Sequence, residues 1–555
     1  MTSEFNPQTD KASVVVVILA ATVVLVPILI LGIPHGADLT NHYRFVQPFY
    51  ESIREGSLYP GWLAESNDGY GDTRFRFYPP GLYYLLIAFR TLTTDWYIGS
   101  LATFLFLSIA GGLGVYLWTR ELSTNKVAVW AGVLYALAPY RLNEIYQASL
   151  LSEYAACSVL PFAFAFAERT CRKGRAIDVA GLAASFACLV LTHVPLIVIG
   201  SLSLAIYCLF RLERTSAWRT LAKLAGAVAL GLMASAFFWT TVVAELSWIK
   251  GNSVNPNLYY DYRNNFVFSP SALTNRNTWF ANILAVAVLA FISPAIVLLK
   301  KRKSVSKGLK AIFIMTLVTF FMTTDLSRPI WAVALKLQEV QFPWRWLAIT
   351  SMVGSVLLAE SIPIWLQQRK SDLRPRDLVA PLAFVLSLAF VVFHVVGGSE
   401  YLGKHQFDSM LPKIRGAVSF KDWHPVTAYE VTKLNKMSGL VEVNGRQVQV
   451  TSWKPEQRQF QLSTGAETEA RVRTYYYPLW KATSSGKSLV VRPTDDGALS
   501  ISVPADTTSV DLSFKEPRRV MITRLISLFG WILILTLCVW SLIRPAQNNL
   551  RRKVN

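Results

Sequence analysis

Long apolar runs dominate the pattern of hydrophobic and polar positions along this 555-residue chain. Many of them continue for about 18 to 24 residues with almost no charge, the length that an α-helix needs to cross the hydrocarbon core of a bilayer. The pattern predicts about twelve transmembrane helices, near residues 13–33, 97–118, 127–139, 150–167, 177–194, 195–210, 221–245, 279–299, 309–324, 344–366, 378–396 and 520–543. Residues 81–92 favour a further, half-inserted helix. A break is expected near His193-Val194-Pro195, since proline interrupts the hydrogen bonding of a helix.

Composition agrees with a membrane protein. The chain is 52% hydrophobic and 16% charged, whereas a soluble protein carries about 25% charged residues. The first apolar run is too long for a secretory signal peptide and lacks a small-residue cleavage site, so we interpret it as a retained helix.

The net charge of +20 is concentrated in short connectors between apolar runs. Counting helices alternately places these connectors on one side, and basic connectors mark the cytoplasmic side. We therefore expect a multi-pass protein of the bacterial cytoplasmic (inner) membrane, with both termini in the cytoplasm. No single basic face is apparent, so a nucleic-acid partner is not expected. The connectors contain Arg169-Arg172-Lys173-Arg175, Lys300–Lys303, Arg369-Lys370 with Arg374 and Arg376, and Arg551–Lys553.

The hydrophobic period changes to two within residues 397–517. Apolar and polar residues alternate from Leu440 to Val450, and short strand-like segments follow at 460–462, 470–477, 489–492, 499–503 and 509–514, separated by Gly- and Asp-containing turns. Regularly spaced short strands predict a β-sandwich or jelly roll. The expected organisation is a transmembrane domain at 1–396 with an outer loop at 34–80, an extracytoplasmic β-rich domain at 397–517, and a final helix with a basic tail at 518–555. A second outer loop is expected at 246–278 and an interfacial segment at 325–343.

The outer loop begins with a carboxylate between two imidazoles, His35, Asp38 and His42. After Asp38 an apolar stripe at helical spacing predicts an amphipathic helix at the membrane interface. Asp38 then occupies the N-cap position and points into any cavity above the membrane. The alternative is that Asp38 only caps the helix, since aspartate is among the commonest caps.

Other charged and aromatic residues cluster near the predicted outer ends of helices. Arg74, Arg76 and Arg345 offer guanidinium donors for a phosphate, although lipid headgroups and interfacial anchoring by Trp344 and Trp346 are alternatives. Glu153 is a candidate for orienting a sugar hydroxyl or for pairing with an arginine, because acidic residues near membrane helices usually face a cavity or a partner. The candidate substrate-binding residues are His35, His42, Arg44, Tyr70, Arg74, Arg76, Tyr78, Arg141, Glu153, His193 and Arg345.

Several other chemistries have no visible motif. We find no phosphate-binding glycine loop, no zinc-ligand spacing and no serine-hydrolase elbow. The five cysteines lie in apolar runs or in a cytoplasmic connector, so no extracytoplasmic disulfide is expected.

Four short motifs together resemble the C-type glycosyltransferases (GT-C), and in particular bacterial multi-pass proteins labelled 6-pyruvoyl-tetrahydropterin-synthase-related membrane proteins. The segment Tyr475–Ala482 also resembles a Tyr-Pro-Gly-Trp signature of related proteins, with Leu479 where glycine is usual. The four motifs are Gly36-Ala37-Asp38 through Tyr43-Arg44, Gly69-Tyr70-Gly71 with Phe77-Tyr78-Pro79-Pro80, Ala138–Leu142 followed by Ser152-Glu153, and Gln341–Arg345.

The resemblance implies an inverting glycosyltransferase that uses a polyprenyl-phosphate-linked sugar donor at the outer membrane face and modifies an envelope glycan, lipid or protein. In such a family an acidic residue of the first outer loop is the expected catalytic base, and Asp38 occupies that place. The leaving phosphate then needs cationic donors. Many families with this fold carry two acidic residues, whereas this loop shows one clear acid at the key place, so a divalent-metal site is not indicated and no cofactor is expected.

Two other functions stay open at this point. One is a transporter or flippase of lipid-linked glycans, although the broad outer loops and the lack of evident inverted repeats count against it. The other is a non-catalytic scaffold in envelope biogenesis.

Overall fold

The computed structural model of the protein describes residues 7–249, 260–304, 306–368, 374–416, 424–428 and 437–554. The Arg369-Lys370 connector and residues 250–259 of the predicted second outer loop lie outside the described residues.

The chain is mostly helical up to residue 414, and one long helix follows the β-strands. The helices are α1 (Pro7–Val23), α2 (Val26–Leu31), α3 (Leu39–Arg54), α4 (Gly81–Thr93), α5 (Trp96–Arg120), α6 (Asn125–Ala136), α7 (Pro139–Tyr146), α8 (Leu151–Arg172), α9 (Ala176–Val190), α10 (Val194–Arg211), α11 (Ala217–Ala234), α12 (Ala236–Glu245), α13 (Arg276–Ile292), α14 (Lys307–Phe321), α15 (Arg328–Val333), α16 (Leu335–Gln338), α17 (Trp346–Gln367), α18 (Val379–Phe390), α19 (Lys404–Ile414) and α20 (Arg518–Val554).

All twelve predicted segments are largely helical, although residues 13–33 are divided between α1 and α2 and residues 221–245 between α11 and α12. Helix α4 occupies the predicted half-inserted segment. The break near His193 is confirmed, since α9 ends at Val190 and α10 begins at Val194 with Pro195 in its first turn. Among the described residues, six helices are long and apolar enough to cross a membrane, or seven if α11 and the segment Ala236–Trp248, bent by 74°, form one span. Twelve crossings therefore stay a prediction.

The amphipathic helix of the first outer loop forms as the sequence predicts. In α3 the predicted apolar stripe begins with Leu39, Tyr43 and Val46, which are all buried, and Pro48 lies inside a helix that continues to Arg54. The stripe packs against α19, where the Tyr43 and Phe407 rings meet edge to face at 4.9 Å.

Residues just after 397 belong structurally to the helical part. The strand β1 (Ile33–Pro34) pairs antiparallel with β2 (Tyr401–Leu402), and α19 follows directly. The start of segment 34–80 is therefore held by the segment that leads towards the β-strands. Within the described residues, the sheets of the β-domain begin at Val441.

The C-terminal β-region consists of two antiparallel sheets, in the orders β3-β6-β10-β9 and β4-β5-β11-β7-β8. Their facing residues form one apolar core, which matches the predicted sandwich. Pairing in the five-stranded sheet includes one strand, β7, that the alternation pattern did not single out. The strands are β3 (Val441–Val443), β4 (Val448–Trp453), β5 (Gln457–Leu462), β6 (Thr468–Tyr475), β7 (Trp480–Ser484), β8 (Lys487–Leu489), β9 (Val491–Pro493), β10 (Ala498–Val503) and β11 (Ser509–Phe514).

Segment 34–80, the predicted outer loop, also completes the core of the sandwich. Trp62 is fully buried and packs edge to face on Trp480, with ring centroids 5.4 Å apart. Tyr70 lies 5.5 Å from the Tyr475 ring, and its carbonyl accepts a hydrogen bond from the Tyr475 amide at 2.7 Å. The loop therefore connects the helical part to the β-domain along most of its length.

Candidate active site

The segment Gly36–Asp38 is fixed by backbone hydrogen bonds to the turn between α7 and α8. The amide of Ala37 donates to the Gln147 carbonyl at 3.3 Å, and the amide of Asp38 donates to the Ala148 carbonyl at 3.1 Å. Gly36 is required by this close approach, because a Cβ there would lie 2.4 Å from the Ser149 hydroxyl oxygen. These backbone hydrogen bonds fix the position of Asp38 relative to the turn between α7 and α8.

Asp38 occupies the N-cap position of α3, but its side chain makes no capping hydrogen bond. Its Oδ1 instead accepts a hydrogen bond from Asn41 Nδ2 at 3.1 Å. Arg44 Nη1 in turn donates to Asn41 Oδ1 at 3.4 Å, which orients the Asn41 amide toward the carboxylate. The capping role that would make Asp38 merely structural is therefore absent.

Burial raises the pKa of the half-buried Asp38 carboxyl, while the Asn41 hydrogen bond and the positive charge of Arg345 oppose part of this shift. Arg345 is 192 residues beyond Glu153 in the chain, yet it lies close enough to act on Asp38. Tyr78 is a further neighbour, because burial raises the pKa of its phenol and the negative charge of Asp38 raises it further. Three segments distant in sequence therefore meet at Asp38.

Arg345 and Glu153 form a buried ion pair beside Asp38. Arg345 Nε donates to Glu153 Oε2 at 3.1 Å, and its Nη1 donates to the Val340 carbonyl at 2.6 Å. The other Glu153 oxygen accepts from the Tyr140 hydroxyl at 2.6 Å. Within the described part of the chain, Arg345 Nη2 has no hydrogen-bond acceptor, so this nitrogen can donate to a ligand.

Short helical turns explain how these side chains converge. Glu153 lies in the first turn of α8, and Arg345 ends the 3₁₀ turn Pro343–Arg345 that leads into α17. Both side chains are nearly inaccessible, with Glu153 1% and Arg345 8% exposed. An ionic pair at this burial is stable only because hydrogen bonds satisfy most of its polar atoms.

His193 and Ser152 border the same cluster. His193 precedes α10, and its Nε2 lies 4.0 Å from Glu153 Oε2, while its buried Nδ1 has no hydrogen-bond partner among the described residues. The Tyr78 hydroxyl donates to Ser152 Oγ at 3.4 Å. The structure therefore brings four predicted residues, Tyr78, Glu153, His193 and Arg345, to the neighbourhood of Asp38.

His42 faces the protein interior beneath this cluster. Its Nδ1 lies 2.9 Å from the Tyr83 hydroxyl, and its Nε2 accepts from the Leu151 amide at 3.3 Å. Burial lowers the pKa of His42 to about 4, so the imidazole is neutral near pH 7. Both ring nitrogens are used, and we interpret His42 as a residue that positions the start of α8.

The two arginines expected to meet a phosphate are each paired within the protein. Arg74 Nη2 donates to Asp72 Oδ2 at 2.7 Å, and its guanidinium lies 3.6 Å from the centroid of the Phe45 ring. Arg76 donates to both Glu245 and Glu516. Burial lowers the pKa of Arg74, whereas the carboxylates around Arg76 raise the pKa of that guanidinium.

The remaining predicted residues lie away from the cluster. Arg141 is 2% exposed and donates to the Leu107 carbonyl and to Ser158 inside the helical part. Tyr70 packs on the β-sandwich, as described above. His35 is a partly exposed neighbour of Glu400, with Nδ1 3.6 Å from its carboxylate.

Two residues of the cluster were not predicted from the sequence, Asn41 and Tyr140. Asn41 follows Asp38 by three positions, which is the helical spacing for side chains on one face. Tyr140 belongs to the Ala138–Leu142 motif, in which the neighbouring Arg141 is the charged candidate. Among the described residues, no group of three or more His, Cys, Asp or Glu side chains is arranged to hold a metal ion.

Sequence comparison identifies the family. The profile of the 6-pyruvoyl-tetrahydropterin synthase related domain, described as a membrane protein, matches residues 75–402, which is more than half of the chain. The chain belongs to this family of membrane proteins. The match confirms the family resemblance of the sequence motifs. The PTPS-related domain contains Glu153, His193 and Arg345, whereas Asp38 and the β-sandwich lie outside it.

No curated protein matches this PTPS-related chain. Among solved structures, similarity is found to the arabinofuranosyltransferase AftD from Mycobacteria, at 14% identity and a TM-score of 0.45 over 71% of this chain and 28% of that one. It is also found to ArnT from Cupriavidus metallidurans bound to undecaprenyl phosphate, at 14% identity and a TM-score of 0.41 over 72% and 73%. The Archaeoglobus fulgidus oligosaccharyltransferase in its apo form matches at 15% identity and a TM-score of 0.42 over 72% and 57%.

These likenesses are weak. The chain spans less than a third of the length of AftD, and none of the three structures assigns a residue role or a reaction to this PTPS-related protein. The candidate site therefore rests on its own geometry.

Proposed function

We propose that this protein is a membrane glycosyltransferase that transfers a sugar from a polyprenyl-phosphate donor to a hydroxyl acceptor with inversion, at the outer face of the cytoplasmic membrane. The observation that carries the proposal is the proximity of two side chains. Asp38 occupies an N-cap position without capping, and Arg345, whose charge acts on Asp38, keeps one guanidinium nitrogen without an acceptor among the described residues. The resemblance of the Gly36–Arg44 segment to GT-C enzymes suggests the reaction. The two side chains supply the groups that this reaction needs.

Asp38 is assigned the role of general base. In the transfer step the Asp38 carboxylate takes the proton of the acceptor hydroxyl as its oxygen attacks the anomeric carbon of the donor. The bond between that carbon and the phosphate oxygen breaks with its electrons leaving on the phosphate. A positioned base of this kind contributes roughly a 10²- to 10⁴-fold rate acceleration. The raised pKa of Asp38 strengthens it as a base at neutral pH.

Arg345 is assigned to the departing phosphate. Its Nη2 has no partner among the described residues, and a guanidinium donates charge-assisted hydrogen bonds to phosphate oxygens. Glu153 and the Val340 carbonyl hold the other two nitrogens, so the direction of Nη2 is fixed before the donor binds. Glu153 is accordingly a positioning residue, and Tyr140 holds it from the other side. Arg74 and Arg76, being paired internally, are not part of this proposal.

The test is transfer from a panel of labelled polyprenyl-phosphate sugars by purified protein in lipid, comparing wild type with Asp38→Asn. We expect turnover to fall by roughly 10²- to 10⁴-fold while donor binding persists. Asp95→Asn is the matched control, because Asp95 also occupies an outer N-cap position but its side chain does cap, accepting from the Ile98 amide at 2.9 Å. Asparagine caps a helix about as well as aspartate, so this variant should keep the cap, lose only the ion pair between Asp95 and Lys404, and keep turnover.

Equal transfer by wild type and Asp38→Asn would remove Asp38 from the base role. Binding of every donor without transfer would favour the transporter or scaffold alternatives. A loss in Asp95→Asn as large as in Asp38→Asn would show that the measurement reports the loss of an N-cap charge instead of catalysis.

A further inference from the structure

A large cleft lies at the opposite end of α3 from Asp38. Its volume is about 1140 Å³, and its walls come from residues 55–59 after α3, residues 454–457 of the β-sandwich, Phe237 and Arg524. None of the residues assigned to the candidate active site lines it. Because α3 has 16 residues and a helix rises about 1.5 Å per residue, roughly 24 Å separates the two ends. The cleft is therefore separate from the candidate active site.

Four charged side chains line the cleft, the cations Lys454 and Arg524 and the anions Glu55 and Glu456. In the described part of the chain, no ion pair within 4 Å involves Glu55, Lys454 or Glu456, and Arg524 lies only loosely against Glu516, at 3.7 Å. Arg524 also donates to the Tyr59 carbonyl at 3.3 Å. The four charges sum to zero, and charges of both signs in one cleft are complementary to a ligand that itself carries both signs.

The Glu456 carboxylate is held in place by a backbone amide. Glu456 Oε1 accepts a hydrogen bond from the Gly61 amide at 2.9 Å, which fixes the carboxylate against the outer loop. Burial raises the pKa of the Glu456 carboxyl. The charges of Arg524 and Arg76 oppose part of this shift. An ammonium group beside Glu456 would replace the counter-charge of Arg524 once a lipid phosphate binds that arginine.

The floor of the cleft is apolar and reaches a membrane helix. Leu58, Tyr59, Phe237 and Phe514 line it, and the Tyr59 and Phe237 rings meet edge to face at 5.0 Å. Phe237 begins the bent segment after α11, and its amide donates to Ser527 of α20 at 2.8 Å. The lower wall is therefore continuous with the apolar face of α20.

The position of Arg524 along α20 indicates how far the cleft extends towards the apolar part of that helix. It lies six residues after the start of α20, about 9 Å along the helix, among the exposed apolar residues Met521, Leu525 and Leu528. A cation at that depth in a membrane-crossing helix normally faces a cavity, a partner or lipid headgroups. Basic pockets beside transmembrane helices bind phosphate-containing headgroups.

We propose that this cleft binds a membrane phospholipid with a phosphoethanolamine headgroup. The lipid phosphate would contact Arg524 and Lys454, its primary ammonium would contact Glu55 and Glu456, and an acyl chain would lie along Tyr59 and Phe237. A phosphatidylglycerol headgroup leaves both carboxylates without a counter-charge, and a choline headgroup has no N–H to donate to them. The assignment is independent of the proposed glycosyl transfer.

The experiment is native mass spectrometry of the full-length protein titrated with phosphatidylethanolamine, phosphatidylcholine or phosphatidylglycerol of identical acyl chains. We expect phosphatidylethanolamine to bind roughly tenfold more tightly than either other lipid, the difference that one charge-assisted contact makes. Equal binding of the three, or tightest binding of phosphatidylglycerol, overturns the proposal.

Variants locate the lipid in the cleft. Arg524→Gln should weaken all three lipids, because all carry the phosphate. The double variant Glu55→Gln with Glu456→Gln should abolish only the preference for ethanolamine. The matched controls Lys515→Gln and Glu467→Gln change exposed charges of the same types that do not line the cleft. An unchanged preference in the double acidic variant overturns the assignment.

Competition by a water-soluble headgroup compound distinguishes a lipid ligand from a free phosphate ester. Glycerophosphoethanolamine carries the same headgroup but has no chain to contact the apolar floor, so it should displace bound phosphatidylethanolamine only at a concentration far above that of the lipid. Displacement at an equal concentration would overturn the assignment to a lipid.

Discussion

Two buried clusters in this protein contain the same three residue types, but they differ in how fully their charged groups are paired. In each, a glutamate accepts hydrogen bonds from an arginine and from a tyrosine hydroxyl. One consists of Glu153, Arg345 and Tyr140. The other consists of Glu245, Arg76 and Tyr477, and lies where the outer loop, the helical part and the β-sandwich meet.

The second cluster is saturated with protein partners. Arg519 donates to Glu245, and Glu516 accepts from Arg76, so the two arginines are balanced by two carboxylates. The first cluster keeps the unused Nη2 of Arg345 and has the half-buried Asp38 carboxylate beside it. Complete pairing favours a structural role, whereas incomplete pairing next to a perturbed carboxyl favours a functional one.

The largest expected effect is on the saturated cluster. Glu245 is fully buried, so Glu245→Ala leaves Arg76 facing only Glu516 and removes the partner of Arg519. Removing one member of a buried ion pair costs about 3–5 kcal/mol. We expect an apparent melting temperature well below that of the wild type at a fixed scan rate, with earlier proteolysis between the sandwich and the helical part.

Glu516→Gln is the internal control for this cluster, because the Glu516 side chain is 21% exposed and its loss should cost less. A Glu245→Ala protein as stable as the wild type would contradict the structural assignment of the cluster.

The next effect concerns the incomplete cluster. Arg345→Gln removes the donor to the leaving phosphate, and we expect the KM for the lipid-phosphate donor to rise roughly 10- to 100-fold, the equivalent of one or two charge-assisted hydrogen bonds. Arg415→Gln, which removes an exposed arginine paired with Glu65, is the matched control. A KM equal to that of the wild type would exclude Arg345 from phosphate binding.

The same variant has a pH signature with a defined sign. Asp38 acts as a base only when ionised, so activity falls as the pH drops through its pKa. The charge of Arg345 lowers that pKa against the larger effect of burial. Without this charge the pKa rises, and the acid limb of kcat/KM should move to higher pH. A limb that moves to lower pH would contradict the proximity of the two groups.

The tyrosines give a smaller and more direct comparison of the two clusters. A hydrogen bond to a charged group contributes about 1.5–3 kcal/mol. Tyr477→Phe should therefore lower the melting temperature with little change in turnover. Tyr140→Phe should change the KM for the donor, because Glu153 then holds Arg345 less firmly. A change in KM for Tyr477→Phe together with only a stability loss for Tyr140→Phe would contradict the roles assigned to the two clusters.

The sequence predicted more of the fold than of the site. Apolar runs predicted the helices because burial in lipid imposes length and composition on each segment by itself. Alternation predicted most strands of the sandwich, but not β7, where only Trp480 and Ala482 face inward among polar residues.

The site was harder to predict, because the ion-pair partners of a charged residue are often distant in sequence. Arg76 and Arg345 both looked suited to a phosphate, and only the positions of Glu245 and Glu516 show that Arg76 is neutralised. Arg141 likewise follows a motif yet points into the helical core. Asp38 was recoverable because its loop motif and its N-cap position lie within a few residues, whereas the missing cap bond is visible only in three dimensions.

The smallest effect is expected from substitution of Asn41, whose side chain donates a hydrogen bond to the Asp38 carboxylate. Its hydrogen bond lowers the pKa of the Asp38 carboxyl against burial, so Asn41→Ala should move the acid limb of kcat/KM to higher pH, by about one unit or less. Because Asn41 does not contact the Arg345 pair, the KM for the donor at high pH should stay at the wild-type value. Arg345→Gln changes both quantities and Asn41→Ala only one, which separates the proton-accepting half of the site from the phosphate-binding half. An Asn41→Ala limb that coincides with that of the wild type would show that the carboxylate which titrates in catalysis is not Asp38.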